Sequence, residues 1–170
     1  MSKRSVGRWR SLTKDSILVA ESNQPVTNGT SDKTFVDSNV LIYAHDVDAG
    51  RRHEIAKGLL RDLWVARTGV LSTQVLHEFY VNVTRKIRTP LPKPAARSVV
   101  GTYVRWCVDP TIADVDAAFR IEDEASIGFW DALIVAVAAR SGARRVLSED
   151  LNPGQVIAGV TVHNPFEEWG

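Results

Sequence analysis

The chain of 170 residues has little of several features that would mark a cellular location or a partner. Cys107 is its single cysteine, so no intramolecular disulfide can form, as is typical of proteins in a reducing compartment. The longest apolar run, residues 132–139, is far shorter than the roughly 20 residues that a membrane-spanning helix needs. The formal net charge is only +1, so no overall basic field points to nucleic acid. These absences predict a soluble, cytoplasmic protein with no part in a membrane.

Common ligand-binding motifs are also missing. No GxxxxGK[ST] or GxGxxG segment occurs, so nucleoside-triphosphate and dinucleotide sites lose their usual support. No cysteine pair or histidine spacing suggests zinc. With 44% hydrophobic residues, the chain nonetheless suits one globular domain with a substantial core.

What the sequence does contain is a series of short apolar strands that alternate with helical segments. Predicted strands occupy residues 34–36, 69–72, 146–148 and 160–163. This alternation predicts an α/β fold, a three-layer α/β/α sandwich around a short-stranded, mainly parallel sheet, in a domain of residues 34–170. Residues 1–33 are mostly polar and predict a poorly ordered N-terminal extension. That extension either contacts nucleic acid through its basic residues or reflects an upstream start codon.

Helical periodicity fills the segments between the strands. Ser38 is predicted to cap the first helix, and Ser72 or Thr73 to cap a later one. Three prolines at positions 90, 92 and 94 predict a loop, with helical character resuming at 95–107. Five acids lie within a helix predicted at 114–126, and most of them are expected to face water.

Four acidic residues stand at special places in this pattern. Asp37 follows the first strand and Asp150 follows the third. Asp131 begins an almost wholly apolar helix, and Glu78 lies early in the helix after the second strand. Because the carboxyl ends of parallel strands meet at one edge of a sheet, the four side chains could converge in one cleft. For Asp37 alone, a plain turn residue would be the simpler interpretation.

Converging carboxylates would repel one another, and one or more would hold a proton. A hard divalent cation resolves this conflict, because Mg²⁺ and Mn²⁺ favour oxygen ligands. The pattern therefore predicts a Mg²⁺ site in which Mn²⁺ can substitute.

Four segments resemble, in the same order, the motifs of PIN domains. They are FVDSNVL at 35–41, QVLHEF at 74–79, WDALI at 130–134 and LSEDL at 147–151. The likeness extends over about residues 34–166 and is greatest to VapC-type toxins of toxin–antitoxin pairs.

The resemblance implies a magnesium-dependent ribonuclease, usually a homodimer, that a cognate antitoxin inhibits by covering the site. It assigns the catalytic and metal-binding roles to an acidic quartet: Asp37, Glu78, Asp131 and Asp150. Asn39 and Ser148 match polar positions that help to orient the quartet. Glu149 lies next to Asp150 and stays open as an alternative fourth acid.

Phosphodiester hydrolysis is the chemistry predicted for this set, with RNA as the substrate that the resemblance implies. One or two Mg²⁺ ions would lower the pKa of a bound water and neutralise charge on the leaving oxygen. Products with 5′-phosphate and 3′-hydroxyl ends would follow.

A basic segment lies between Glu78 and Asp109, where no acidic residue occurs. Such a segment is either a solvated face or a contact surface for RNA phosphates. The residues proposed for such contacts are Arg85, Lys86, Arg88, Lys93 and Arg97.

Two other functions fit parts of the pattern. A phosphatase of the haloacid dehalogenase type also begins with a strand ending in Asp, but it needs a second acid where Asn39 stands. A non-catalytic PIN-like module could bind RNA or protein without cutting, although such a scaffold has no need of four carboxylates.

Overall fold

A computed structural model describes residues 32–167 of the chain. The strands are β1 (Lys33–Val36), β2 (Gly69–Ser72), β3 (Cys107–Val108), β4 (Ala143–Leu147), β5 (Val156–Ile157) and β6 (Val160–His163). The helices are α1 (Ser38–His45), α2 (Arg51–Ala66), α3 (Thr73–Arg85), α4 (Lys93–Tyr103), α5 (Ile112–Ala125) and α6 (Phe129–Arg140). The fold therefore begins by Lys33, and residues 1–31 of the predicted extension lie outside the described residues.

The sheet has six strands in the order β3-β2-β1-β4-β6-β5. Neighbouring strands are parallel except for the antiparallel pair β5 and β6. The central strand β1 pairs with both β2 and β4, and its Phe35 and Val36 are fully buried. This mixed α/β architecture with a mainly parallel sheet confirms the predicted fold class. Among residues 32–167, no helix has the length and apolar character needed to span a membrane.

Two helices show how the apolar pattern builds the core. α3 turns Val75, Leu76, Phe79 and Val83 inward, as the spacing of an amphipathic helix requires. α6 is apolar on all sides, and every residue from 132 to 138 is buried. Each helix thus fixes one acidic side chain, Glu78 on α3 and Asp131 on α6, at a set place relative to the core.

The segment from Pro92 to Val108 differs from the prediction. α4 begins at Lys93 with Pro94 in its first turn, where a missing N–H costs nothing, so this proline belongs to the helix and not to the loop. After α4 and a 3₁₀ turn over Val104–Trp106, the chain forms β3. The first residue of this strand, Cys107, was predicted as the end of the helical segment 95–107, because two residues at a sheet edge are too few to show a strand period.

Three of the five acids of α5 are exposed and a fourth is half-buried, as predicted for most of them, and Asp114 is the exception. Its side chain is 3% exposed and accepts hydrogen bonds from Thr111, whose hydroxyl caps the same helix. Arg140 Nε lies 2.8 Å from Asp114 Oδ1, and Arg140 Nη2 donates to the Asp109 carbonyl at 2.7 Å. Burial opposes ionisation, but the hydrogen bonds from Arg140 and Thr111 outweigh it and hold the pKa of Asp114 below its usual value. This carboxylate joins α5 to α6.

Gly69 opens β2 directly against the buried indole of Trp106. A Cβ at Gly69 would lie 2.6 Å from ring atoms of Trp106, which is shorter than the van der Waals contact distance. We expect Gly69→Ala to lower the free energy of unfolding by about 2–3 kcal/mol, because a packed indole has no room to retreat.

Gly58→Ala is the matched control for that substitution. Gly58 lies within α2, where an added Cβ meets nothing within 4 Å. Alanine favours a helix over glycine by roughly 0.5–1 kcal/mol, so this variant should gain stability. Urea denaturation measures both values, and a Gly69→Ala protein as stable as the wild type would refute the close contact.

Candidate active site

The ends of β1 and β4 bring the first and last acidic motifs together. The Asp37 amide donates to the Leu147 carbonyl at 3.0 Å, so the chain leaves both strands at the same edge. Directly beyond these ends, Ser148 Oγ donates to Asp37 Oδ2 at 2.6 Å. Because both strands are parallel, their carboxyl ends form the edge at which ligands bind in α/β sheets.

Asp37 itself, and not Ser38 as predicted, is the N-cap of α1. Asp37 Oδ1 accepts a hydrogen bond from the Ser38 amide at 2.6 Å, with Asp37 in an extended conformation. A carboxylate is a stronger acceptor than a hydroxyl at the positive end of a helix, which explains the choice. The Asp37 side chain is only 3% exposed, so hydrogen-bond donors of the protein, and not water, hold its carboxylate.

Asn39 and Ser148 connect Asp37 with Asp150. Asn39 Nδ2 lies 3.2 Å from Asp37 Oδ2 and 3.0 Å from Asp150 Oδ2, so one amide group donates to both carboxylates. Ser148 Oγ accepts from the Asp150 amide at 3.1 Å while donating to Asp37. Both polar residues predicted to orient the quartet therefore contact two of its members.

Glu78 and Asp131 complete the group from the two helices. Both side chains are half-buried, and Glu78 Oε1 accepts a hydrogen bond from Gln74 Nε2 at 3.1 Å. Burial, followed by the charges of Asp150 and Glu78, raises the pKa of Asp131. For Asp37, burial and the same two charges outweigh the hydrogen bonds from Ser148 and Ser38 and raise the pKa to about 6. Asp37 and Asp131 therefore lie in the field of the same two neighbours, as expected of one cluster.

Glu149 belongs to a separate network. Its Oε1 accepts from Tyr43 OH at 2.5 Å, and its Oε2 lies 3.2 Å from Arg52 Nη1. The neighbouring Asp150 instead accepts from Asn39 and acts on Asp131. Of the two adjacent acids, the structure directs Asp150 into the cluster.

The basic segment lies farther along α3 and α4. Arg85 ends α3 seven residues after Glu78, which corresponds to roughly 10 Å of helix. All five proposed RNA contacts in this segment are exposed: Arg85, Lys86, Arg88, Lys93 and Arg97. Their contact with RNA stays a prediction.

The cluster offers the donors that a hard cation requires. All four acids supply oxygen, and the described residues leave two buried amide oxygens beside them, Asn39 Oδ1 and Gln74 Oε1, without hydrogen-bond partners. Among residues 32–167, no three His, Cys, Asp or Glu side chains are already grouped as the ligands of a metal ion. Mg²⁺ keeps several waters and needs only one or two carboxylates directly, so the donor set fits this ion.

Three contacts of this site were not predicted from the sequence. Gln74, which holds Glu78, precedes it by four residues on one helix, and that spacing could have revealed the pair. Tyr43 and Arg52 reach Glu149 from distant parts of the chain, and no local pattern announces such contacts.

Comparison with known proteins gives a family and a fold. The sequence profile of the PIN domain family matches residues 34–156. A search of curated proteins gave no match. A toxin–antitoxin complex from Klebsiella pneumoniae has a TM-score of 0.58 and 20% identity, covering 79% of this chain and 99% of that chain. VapBC2 from Rickettsia felis, solved with a promoter DNA fragment, has a TM-score of 0.54 and 17% identity, covering 77% and 97%. At these identities the structural likeness establishes a shared fold.

Proposed function

Because the chain belongs to the PIN domain family, we propose that it is a metal-dependent endoribonuclease that hydrolyses RNA phosphodiester bonds. One observation carries the proposal. Asn39 Nδ2 donates to the carboxylates of both Asp37 and Asp150, which follow two different strands at one edge of the sheet, and the charges of Asp150 and Glu78 act on Asp131. Carboxylates gathered in this way suit a cation site better than a purely structural edge of a sheet.

Mg²⁺ is the cation that we assign to this site, and Mn²⁺ can substitute for it. Asp37, Glu78, Asp131 and Asp150 would hold it, since all four supply oxygen ligands. A cation held there would supply positive charge against the scissile phosphate and would lower the pKa of a bound water, which favours the hydroxide as nucleophile.

The residues of the chain prepare the site before any cation binds. Ser38 and Ser148 hold the Asp37 carboxylate from two sides. Asn39 bridges Asp37 and Asp150, so the two carboxylates keep a fixed separation despite their repulsion. With a pKa of about 6, Asp37 is mostly ionised at neutral pH and can receive a cation. Hydrolysis by water at such a site leaves 5′-phosphate and 3′-hydroxyl ends.

A role as the toxin of a type II toxin–antitoxin pair agrees with the fold comparison, in which toxin–antitoxin complexes share this fold. In that role the protein would act in the cytoplasm on cellular RNA, as a homodimer, and a cognate antitoxin would cover the acidic cluster. The exposed basic residues from Arg85 to Arg97 would then bind RNA phosphates beside the cleavage site.

The test is cleavage of purified transfer and ribosomal RNA by the full chain, with Mg²⁺ and with excess EDTA. We expect cleavage in Mg²⁺ alone and a rate at least about 100-fold lower for Asp131→Asn, because electrostatic groups of this kind contribute that much. Asp123→Asn makes the same chemical change on an exposed face of α5 and should cut like the wild type. Mg²⁺-independent RNA binding without cleavage would identify a binding module instead.

A further inference from the structure

Two side chains, Tyr43 and Arg52, tie Glu149, the residue next to Asp150, to the body of the fold through three contacts. Tyr43 OH donates to Glu149 Oε1 at 2.5 Å, Arg52 Nη1 donates to Tyr43 OH at 2.7 Å, and the same nitrogen lies 3.2 Å from Glu149 Oε2. Tyr43 lies on α1, Arg52 on α2 and Glu149 in the loop after β4. These contacts form a closed triangle, which we call the Glu149 bracket.

The bracket has a rigid base. The Tyr43 ring packs edge-on against Phe166, with centroids 5.2 Å apart and planes at 86°. The Arg52 guanidinium lies 5.1 Å from the centroid of the Tyr43 ring and 5.8 Å from that of Phe166. His53 Nδ1 lies 2.9 Å from the Tyr43 carbonyl. The hydroxyl that holds Glu149 therefore belongs to a side chain fixed at its ring and at its backbone.

Asp150 needs such support. Its side chain is exposed, and its charge acts against those of Asp37 and Asp131, as the raised pKa values of both show. Free rotation of the loop would carry this carboxylate away from like charges and into water. Asn39 and Ser148 each restrain Asp150 by one hydrogen bond. Glu149, with its side chain only 20% exposed, adds a restraint on the same loop from the body of the fold.

We propose that Tyr43 and Arg52 are positioning residues that act through Glu149 to keep Asp150 within the acidic cluster. The inference rests on the proposed function, in which Asp150 is a cation ligand. Partners hydrogen-bonded directly to a metal ligand are worth about 10–100-fold in metal affinity. Because the bracket acts on the neighbour of Asp150 and not on Asp150 itself, we expect an effect at the lower end of this range.

Tyr43→Phe tests the inference most cleanly, because it removes one hydroxyl and leaves every charge and the ring in place. We expect the dissociation constant for Mn²⁺, measured by electron paramagnetic resonance, to rise about tenfold. In the metal-free protein, amide hydrogen exchange across residues 148–151 should become faster. Tyr80→Phe makes the same change on α3, half-buried and away from Glu149, and should alter neither measurement.

Arg52→Gln separates positioning from a simple effect of charge. Loss of the Arg52 guanidinium leaves the negative charge of Glu149 without its ion-pair partner, so electrostatics alone predicts tighter Mn²⁺ binding. Loss of the bracket predicts weaker binding. Arg52 is about half-exposed, which makes misfolding of this variant a small concern.

The outcomes distinguish the inference from the function on which it rests. Wild-type Mn²⁺ affinity and wild-type exchange in Tyr43→Phe would overturn the inference, as would tighter binding by Arg52→Gln. A wild-type protein that binds no Mn²⁺ would overturn the proposed function, and the exchange rates would still decide whether the bracket holds the loop.

Discussion

Asp37→Asn should make the metal-free protein more stable at pH 7.5, by about 2 kcal/mol, while abolishing its RNA cleavage. Burial raises the pKa of Asp37 from 3.8 to about 6. Above pH 6 the folded protein must therefore hold a buried negative charge that the unfolded chain exposes to water. Two pKa units correspond to about 3 kcal/mol, of which part is lost because asparagine cannot accept all the hydrogen bonds of the carboxylate.

The pH dependence gives this prediction its sign. The pKa of Asp37 is higher in the folded protein than in the unfolded chain, so protonation of Asp37 stabilises the fold. This stabilisation has its full size below pH 3.8 and disappears as the pH rises through 6. The advantage of Asp37→Asn over the wild type should accordingly vanish near pH 4. Urea denaturation at pH 4 and 7.5 measures it, with Asp123→Asn as the control for the loss of one exposed charge. A variant that is less stable than the wild type at pH 7.5 would contradict the conclusion that the buried charge of Asp37 destabilises the folded protein.

His45 should make the fold sensitive to acid. It is 5% exposed between the edges of Phe79 and Tyr103, and within the described chain its Nε2 has no hydrogen-bond partner. Burial, with a smaller contribution from His53, lowers the pKa of His45 from 6.5 to about 3. Between pH 6.5 and about 3, His45 is protonated in the unfolded chain but not in the folded protein. The free energy of unfolding therefore falls as the pH drops through this range.

The size of this effect is visible only when Asp37 is removed, because the two groups act in opposite directions between pH 4 and 6. In the Asp37→Asn protein we expect about 3 kcal/mol less stability at pH 4 than at pH 7 from His45 alone. Adding His45→Leu, of similar volume, should remove most of that slope. If the slope in urea denaturation persists in the double variant, it arises from other groups.

The sequence predicted the parts of the fold that depend on local pattern. Residues 132–138 read as a helix buried on all sides, and they are buried on all sides. Strand β1 and Asp37 at its end were evident because two apolar residues, Phe35 and Val36, stop at a carboxylate. By contrast, β3 and β5 have two residues each and depend on pairing with a neighbour, which no local pattern can reveal.

The candidate site divides in the same way. The place of each acid at a strand end or in an early helical turn led to the predicted quartet, and the bridge from Asn39 to Asp37 and Asp150 agrees with that grouping for two of its members. The sequence did not single out Asp114 as the buried acid of α5, because its burial depends on Arg140, which lies 26 residues away, and the Glu149 bracket likewise joins distant positions. The capping role of Asp37 was missed because Ser38, an equally common cap, follows it.

The central claim is that the acidic cluster is the catalytic centre of an RNA-cutting enzyme. The initial rate of Mg²⁺-dependent RNA cleavage by the wild type and by Asp37→Asn tests it most directly, with urea denaturation of the same two preparations to check that both are folded. We predict a rate at least about 100-fold lower for Asp37→Asn. Equal rates for the two folded proteins would contradict it.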